Sequence, residues 1–142
     1  MRRFLLIALC CAALLAIGCG AATYTLRGAA PATPDEDAVY ALLQRRHTLL
    51  NEYRYASARG IFAGDALADF DADIKMNARR YAAYGIHFTL LDVREFEHSG
   101  DATAVSFYET TTEGGGTCWR VRADCFRTRN GWRIVGLERK RN

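Results

Sequence analysis

The chain of 142 residues contains two prolines and three histidines, and its 19 basic and 16 acidic residues nearly cancel. So little proline, with no Gly-X-Y period, excludes collagen-like and proline-rich classes. A 50% apolar share and 11% aromatics exclude a disordered chain. GxSxG, Walker and GxGxxG signatures are all missing, and Gly114-Gly115-Gly116 reads as a hairpin turn rather than a phosphate cradle. CxxC is missing too, and His47, His87 and His98 show neither HxxE nor HxH spacing. No metal site and no cofactor are therefore expected, and the histidines read as surface or satisfied core residues. The length fits one ordinary domain. Arg2 and Arg3 fall in a leader; without them 17 bases face 16 acids, a balance that gives no reason to expect nucleic acid as a partner.

What is present begins with that leader. Two arginines precede a fourteen-residue apolar run, Phe4–Ile17, too short to cross a hydrocarbon core of about 30 Å as a helix. Basic start, short apolar middle and small residues at the end mark a signal peptide over 1–18, with a permanent transmembrane anchor as the alternative. Cys10 and Cys11 read as part of the apolar run. Leu15-Ala16-Ile17-Gly18-Cys19 resembles the lipobox of bacterial lipoproteins, departing from it at Ala16, where leucine is preferred. That resemblance implies cleavage after Gly18, lipidation of Cys19, and a membrane-anchored lipoprotein facing the periplasm or cell exterior. Plain secretion as a soluble protein is the alternative. Residues 19–32 are small and aperiodic and are expected to be a flexible tether.

Export puts Cys118 and Cys125 in an oxidising compartment. Seven residues apart on one extended strand, they would lie roughly 23 Å from each other, whereas a disulfide needs Cα atoms within about 7 Å. Either Arg120–Asp124 bends sharply or the two do not pair; two buried or half-buried thiols are the expectation.

The domain is placed at 33–142. Thr33 suits a helix N-cap, Pro34 its first turn, and Glu36 a capping box. Val39, Leu42, Leu43, Leu50, Tyr53 and Ala56 share one face, which predicts a helix to about residue 58. Asp65 reads as the N-cap of a second helix, which ends at Tyr84-Gly85. Its early acids Asp65, Asp69, Asp71 and Asp73 read as a solvated face suited to the helix dipole rather than a calcium loop. Four strands follow, Ile86–His98, Ala102–Thr112, Cys118–Arg129 and Trp132–Lys140, separated by Ser99-Gly100-Asp101, Glu113–Gly116 and Asn130-Gly131. Pairing across Asn130-Gly131 puts Arg127 opposite Ile134 and Phe126 opposite Val135. Trp119, Val121, Ala123, Trp132 and Ile134 then occupy one face. Phe126, Val135 and Leu137, among Arg122, Arg133 and Arg139, occupy the other, which a second copy of the chain would cover in a homodimer.

Two helices on a curved four-stranded antiparallel sheet, with Ser99-Gly100-Asp101-Ala102-Thr103-Ala104-Val105 at the first hairpin and Gly131-Trp132-Arg133-Ile134 in the last strand, resemble the nuclear-transport-factor-2-like superfamily, and especially its small exported lipoproteins. The resemblance implies a cone-shaped, cystatin-like α+β roll enclosing a pocket. It leaves activity open, because fold and function are loosely tied. Tyr53, Tyr81, Trp119 and Trp132 are candidate pocket-lining residues. The expected role is a non-catalytic binding or interaction domain for a small apolar ligand or a protein partner. Alternatives are an isomerase- or dehydratase-type enzyme with a carboxylate inside the cone, or a structural dimerisation module. Asp92, Glu95, Asp124, Tyr53, Tyr81, Tyr108 and His47 offer acid–base chemistry, but none matches a family motif, so no catalytic residue is assigned. Opposite parity would keep Asp92 and Tyr108 apart. Arg139-Lys140-Arg141 with Arg120, Arg122, Arg127, Arg129 and Arg133 form a basic set, read as a solvated face or a contact with anionic headgroups or an acidic partner.

Overall fold

The computed structural model describes residues 23–142; the leader, the lipobox and Cys19 lie outside the described residues. In chain order the elements are β1 (Thr25–Gly28), α1 (Pro34–Asn51), the single turn α2 (Tyr55–Ala58), α3 (Gly64–Ala83), β2 (Phe88–Ser99), β3 (Ala102–Thr111), β4 (Thr117–Thr128) and β5 (Gly131–Arg141). The strands form one sheet in sequential order. β2 to β5 make the expected antiparallel meander, and β1 joins it in parallel beside β2. This fifth strand, which makes the sheet mixed, lies within the segment expected to be a tether.

Local chemistry explains the helix ends. The Thr33 hydroxyl accepts the Glu36 N–H, as expected of an N-cap. The Glu36 carboxylate reaches back to the N–H of Ala32 rather than to that of Thr33. α1 stops at Asn51, short of residue 58, because Tyr53 takes the left-handed conformation (φ 55°). There Tyr53 N–H bonds to Leu50 C=O and Arg54 N–H to Leu49 C=O, closing a Schellman turn. α3 ends in the same motif on Gly85 (φ 59°), as its sequence suggests. Its N-cap is Ala63 rather than Asp65, which lies in the first turn.

α1 supplies Val39, Leu43 and Leu49 to a core completed by Leu91, Val93, Val105, Phe107, Val121, Ala123 and Ile134 of the sheet. Along β3 burial alternates without a break, so Thr103, Val105, Phe107, Glu109 and Thr111 all face inward. β5 departs from the expected register twice. Gly131 (φ 94°) is already the first residue of β5 and sits opposite Thr128, so Arg127 opposes Trp132, and Phe126 opposes Arg133. Then the pairing steps from Cys125–Ile134 to Asp124–Gly136, leaving Val135 as an inserted residue. Beyond that bulge every side chain of β5 changes sides. Leu137 comes to oppose Ala123, and Arg139 to oppose Val121, on the inner face rather than the outer one. Cys118 and Cys125 both lie on β4 as thiols, half-buried and buried respectively, and burial pushes the Cys125 thiol up to about 12.

Candidate functional site

Where α1 passes over β3 and the far end of β5, the core turns from apolar to charged. Glu109 is fully buried. Arg46 Nη1 donates to it at 2.6 Å, and Arg139 Nε at 2.7 Å. His47 Nε2 lies 2.8 Å away, while His47 Nδ1 lies 2.7 Å from the Tyr24 hydroxyl. Neutral His47 satisfies both contacts when Nε2–H donates to Glu109 and Nδ1 accepts from Tyr24. Burial favours that neutral form, drawing the imidazole below its ordinary value against the pull of Glu109. For Glu109 burial alone would raise the carboxyl, but the Arg46 charge, the His47 hydrogen bond and Arg139 together hold it well below the usual range. The Phe88 ring stacks on His47 at 4.3 Å, and the Arg46 guanidinium lies over it at 5.0 Å. Trp119 braces Arg139, whose guanidinium lies 4.5 Å from the indole.

This cluster forms one end of a cavity of about 240 Å³ between α3 and the sheet. Arg46 and Arg139 are in its wall. Leu50, Phe62, Phe70, Ile74, Ile86 and Leu137 supply the apolar lining. Three lining residues carry buried polar atoms with no hydrogen-bond partner among the described residues: Arg46 Nε, the Tyr55 hydroxyl and the Thr111 hydroxyl. The acids on the wall are Asp69, Asp73 and Glu113. Asp73 accepts from the Tyr81 hydroxyl at 2.8 Å and from Asn77 at 2.8 Å, and Glu113 is paired with Arg80 at 2.9 Å. Burial, with Asp73 beside it, pushes the Tyr81 phenol up to about 12.

Of the four aromatics singled out in the sequence, Tyr81 lines the cavity. Tyr53 sits at the α1 terminus, with its hydroxyl 3.3 Å from His87 Nε2. Trp119 stands behind Arg139, and Trp132 is buried under the Arg127 guanidinium. Asp92 and Tyr108 are direct cross-strand partners, contrary to the expected parity, because a bulge between Val93 and Glu95 shifts the β2 register. They lie on the outer face, where Arg94 pairs with Asp92 at 2.7 Å and covers Tyr108. The basic set is likewise broken up. Arg122 pairs with Glu97 and Asp124, Arg127 with Asp35, and Arg139 turns inward. Sequence reasoning missed Arg46, Glu109 and Arg139 as site residues. The strict alternation of β3 was the available signal for Glu109. For Arg139 there was none, since its side of the sheet depends on the bulge.

No protein-family model and no curated protein matches the chain. Solved structures do match. An NTF2-like protein with a cystatin-like fold from Novosphingobium aromaticivorans superposes with a TM-score of 0.62 at 18% identity, over 74% of this chain and 80% of its own. A Catenulispora acidiphila protein solved in complex with S-DNPA gives 0.53 at 16% identity, over 74% and 91%. The intermembrane space region of the chloroplast protein ARC6 gives 0.50 at 15% identity, over 79% and 100%. At such identities the likeness is one of fold: the chain shares the α+β, cystatin-like fold of the NTF2-like protein from Novosphingobium.

Proposed function

We propose that this domain binds a small, largely apolar molecule in the cavity between α3 and the sheet, without chemistry on it. The observation that carries this reading is the cavity itself, about 240 Å³ walled by Leu50, Phe62, Phe70, Ile74, Ile86 and Leu137. Its volume falls just under the ~300–1,000 Å³ typical of sites for drug-sized ligands, so the occupant is smaller. The Catenulispora protein of the same fold, solved in complex with S-DNPA, adds support by analogy. A second reading, an isomerase- or dehydratase-type enzyme, draws on Asp73, a carboxylate in the cavity wall. Donors from Tyr81 and Asn77 already occupy its oxygens, which weakens it as a general base.

Native mass spectrometry of the chain, expressed with its leader and purified in processed form, tests the binding reading. A retained small-molecule mass is the expected result. A bare protein that also fails to bind added naphthalene or octanol saturably overturns it. A bare dimer would move the role to the outer sheet face, where Phe126 is 45% exposed.

The proposal includes an exported lipoprotein anchored through Cys19, a reading supported by the leader and the lipobox-like Leu15–Cys19. Replacing Cys19 with Ala should release the protein from the membrane fraction. Retention there with an unmodified N-terminal mass would eliminate the lipid anchor.

A further inference from the structure

We infer that the cavity selects a small monoanion, a carboxylate on an apolar tail, with the head group at Arg46, Arg139 and Thr111 and the tail against Phe62, Phe70 and Ile74. This rests on the binding reading and narrows it to a ligand class.

Charge balance is the first argument. Two guanidiniums, Arg46 and Arg139, meet the single carboxylate of Glu109, and His47 is held neutral by burial. Arginine does not give up its proton in proteins, so the cluster keeps one positive charge in excess, shared between buried Arg46 and Arg139, whose side chain is 32% exposed. One anion from outside would match that excess charge next to the buried Arg46–Glu109 pair.

Unmatched hydrogen-bonding groups are the second argument. Arg46 is 3% exposed and has its Nη groups directed at Glu109, yet its Nε–H has no partner among the described residues. Thr111, also 3% exposed, presents an unpaired hydroxyl in the same cavity wall, and the Tyr55 hydroxyl is a third such group. Buried polar groups are normally paired, and each exception calls for an explanation. Here one carboxylate at the head site would explain the first two. Arg46 Nε–H and the Thr111 hydroxyl can both donate to a carboxylate, and a charge-assisted bond from guanidinium is the strong kind.

The acids of the wall set the upper limit on ligand charge. Asp73 and Glu113 have donors of their own from Tyr81, Asn77 and Arg80, and Asp69 is exposed. Asp73 keeps its own negative charge, because Tyr81 and Asn77 are neutral donors. A dianion such as a phosphomonoester would therefore meet a like charge in the same wall, whereas one carboxylate is matched by the guanidinium that Glu109 leaves over. Leu137 in the same wall and Phe88 beneath both guanidiniums give the head region apolar neighbours, which strengthens each contact made there.

The test compares octanoate with 1-octanol by calorimetric titration of the processed protein. Octanoate should bind roughly ten- to a hundredfold more tightly, the worth of one charge-assisted bond. Arg139→Gln should abolish that preference. Because this change also disturbs Glu109, Thr111→Val supplies an independent variant. It removes only an unpaired hydroxyl, so thermal stability should hold while octanoate affinity falls roughly threefold to tenfold. Equal binding of octanol and octanoate would overturn the anion inference and leave the apolar pocket standing. Undiminished octanoate binding to Thr111→Val would overturn the placement of the head group. Failure of both ligands to bind would remove the binding reading and this inference together.

Discussion

The two ends of the core are built from the same pair of elements and stabilised in opposite ways. At one end α1 offers Val39 and Leu43, and β3 offers Val105 and Phe107. One turn of helix and two residues of strand further on, the same elements offer Arg46 and His47, and Glu109 and Thr111. The apolar end depends on shape and burial, and any volume change is felt directly. Charge pairing is what the other end depends on, and it is incomplete: a positive charge and three polar atoms remain over, beside a cavity. Proteins keep buried ionic groups at a cost that apolar residues would avoid. That cost is concentrated where the wall opens onto a space of ligand size.

Three perturbations would break or sharpen this contrast. The largest effect should come from Glu109→Gln, which leaves two guanidiniums facing a neutral amide; breaking a buried ion pair in this way costs about 3–5 kcal/mol. Urea unfolding measures it, and a loss below about 1 kcal/mol would mean that the charges are not packed as described. At the apolar end Leu43→Ala should cost about 2–5 kcal/mol, with the lower values expected if the neighbouring side chains collapse into the gap. Its effect should be the same at pH 8 and at pH 5, since no titrating group loses a partner.

Acid should separate the ends with the mildest perturbation. The folded state keeps His47 neutral below its ordinary value of 6.5. In the unfolded chain the imidazole takes a proton near 6.5, so the unfolded state binds more protons there and stability rises with pH. The His47 contribution is therefore complete above about 6.5 and is lost as pH falls below it. Glu109, lowered from 4.5, adds a second loss of the same sign below about 4.5. Urea midpoints taken from pH 8 to about pH 3 should decline in these two windows, and His47→Gln should flatten the first. A first window that survives His47→Gln would assign the effect to another group.

Much of the fold was legible because its signals are local. Thr33-Pro34 starts α1, Gly85 ends α3, and Ser99-Gly100-Asp101 turns β2 into β3. The misreadings share a cause in tertiary context. Tyr53 closes α1 in a conformation that glycine ordinarily supplies, so no residue type announced the stop. β1 is four residues of an edge strand, Thr-Leu-Arg-Gly, too short to show alternation, and it forms by pairing with a strand more than sixty residues away. In β5 the Val135 bulge overrides the period of two on which any pattern reading depends. The site inherits that difficulty, because half of its cationic pair lies beyond the bulge.

β1 has one more consequence, for geometry outside the domain. The Tyr24 hydroxyl is bonded to His47, and residues from Thr25 onward are locked to β2. Of the fourteen residues read as a leash, those from Tyr24 to Gly28 are thus tied to the domain. On the proposed anchor at Cys19, five residue steps reach at most roughly 18 Å when fully extended. On that anchor the protein would ride close against its bilayer, with little freedom to swing.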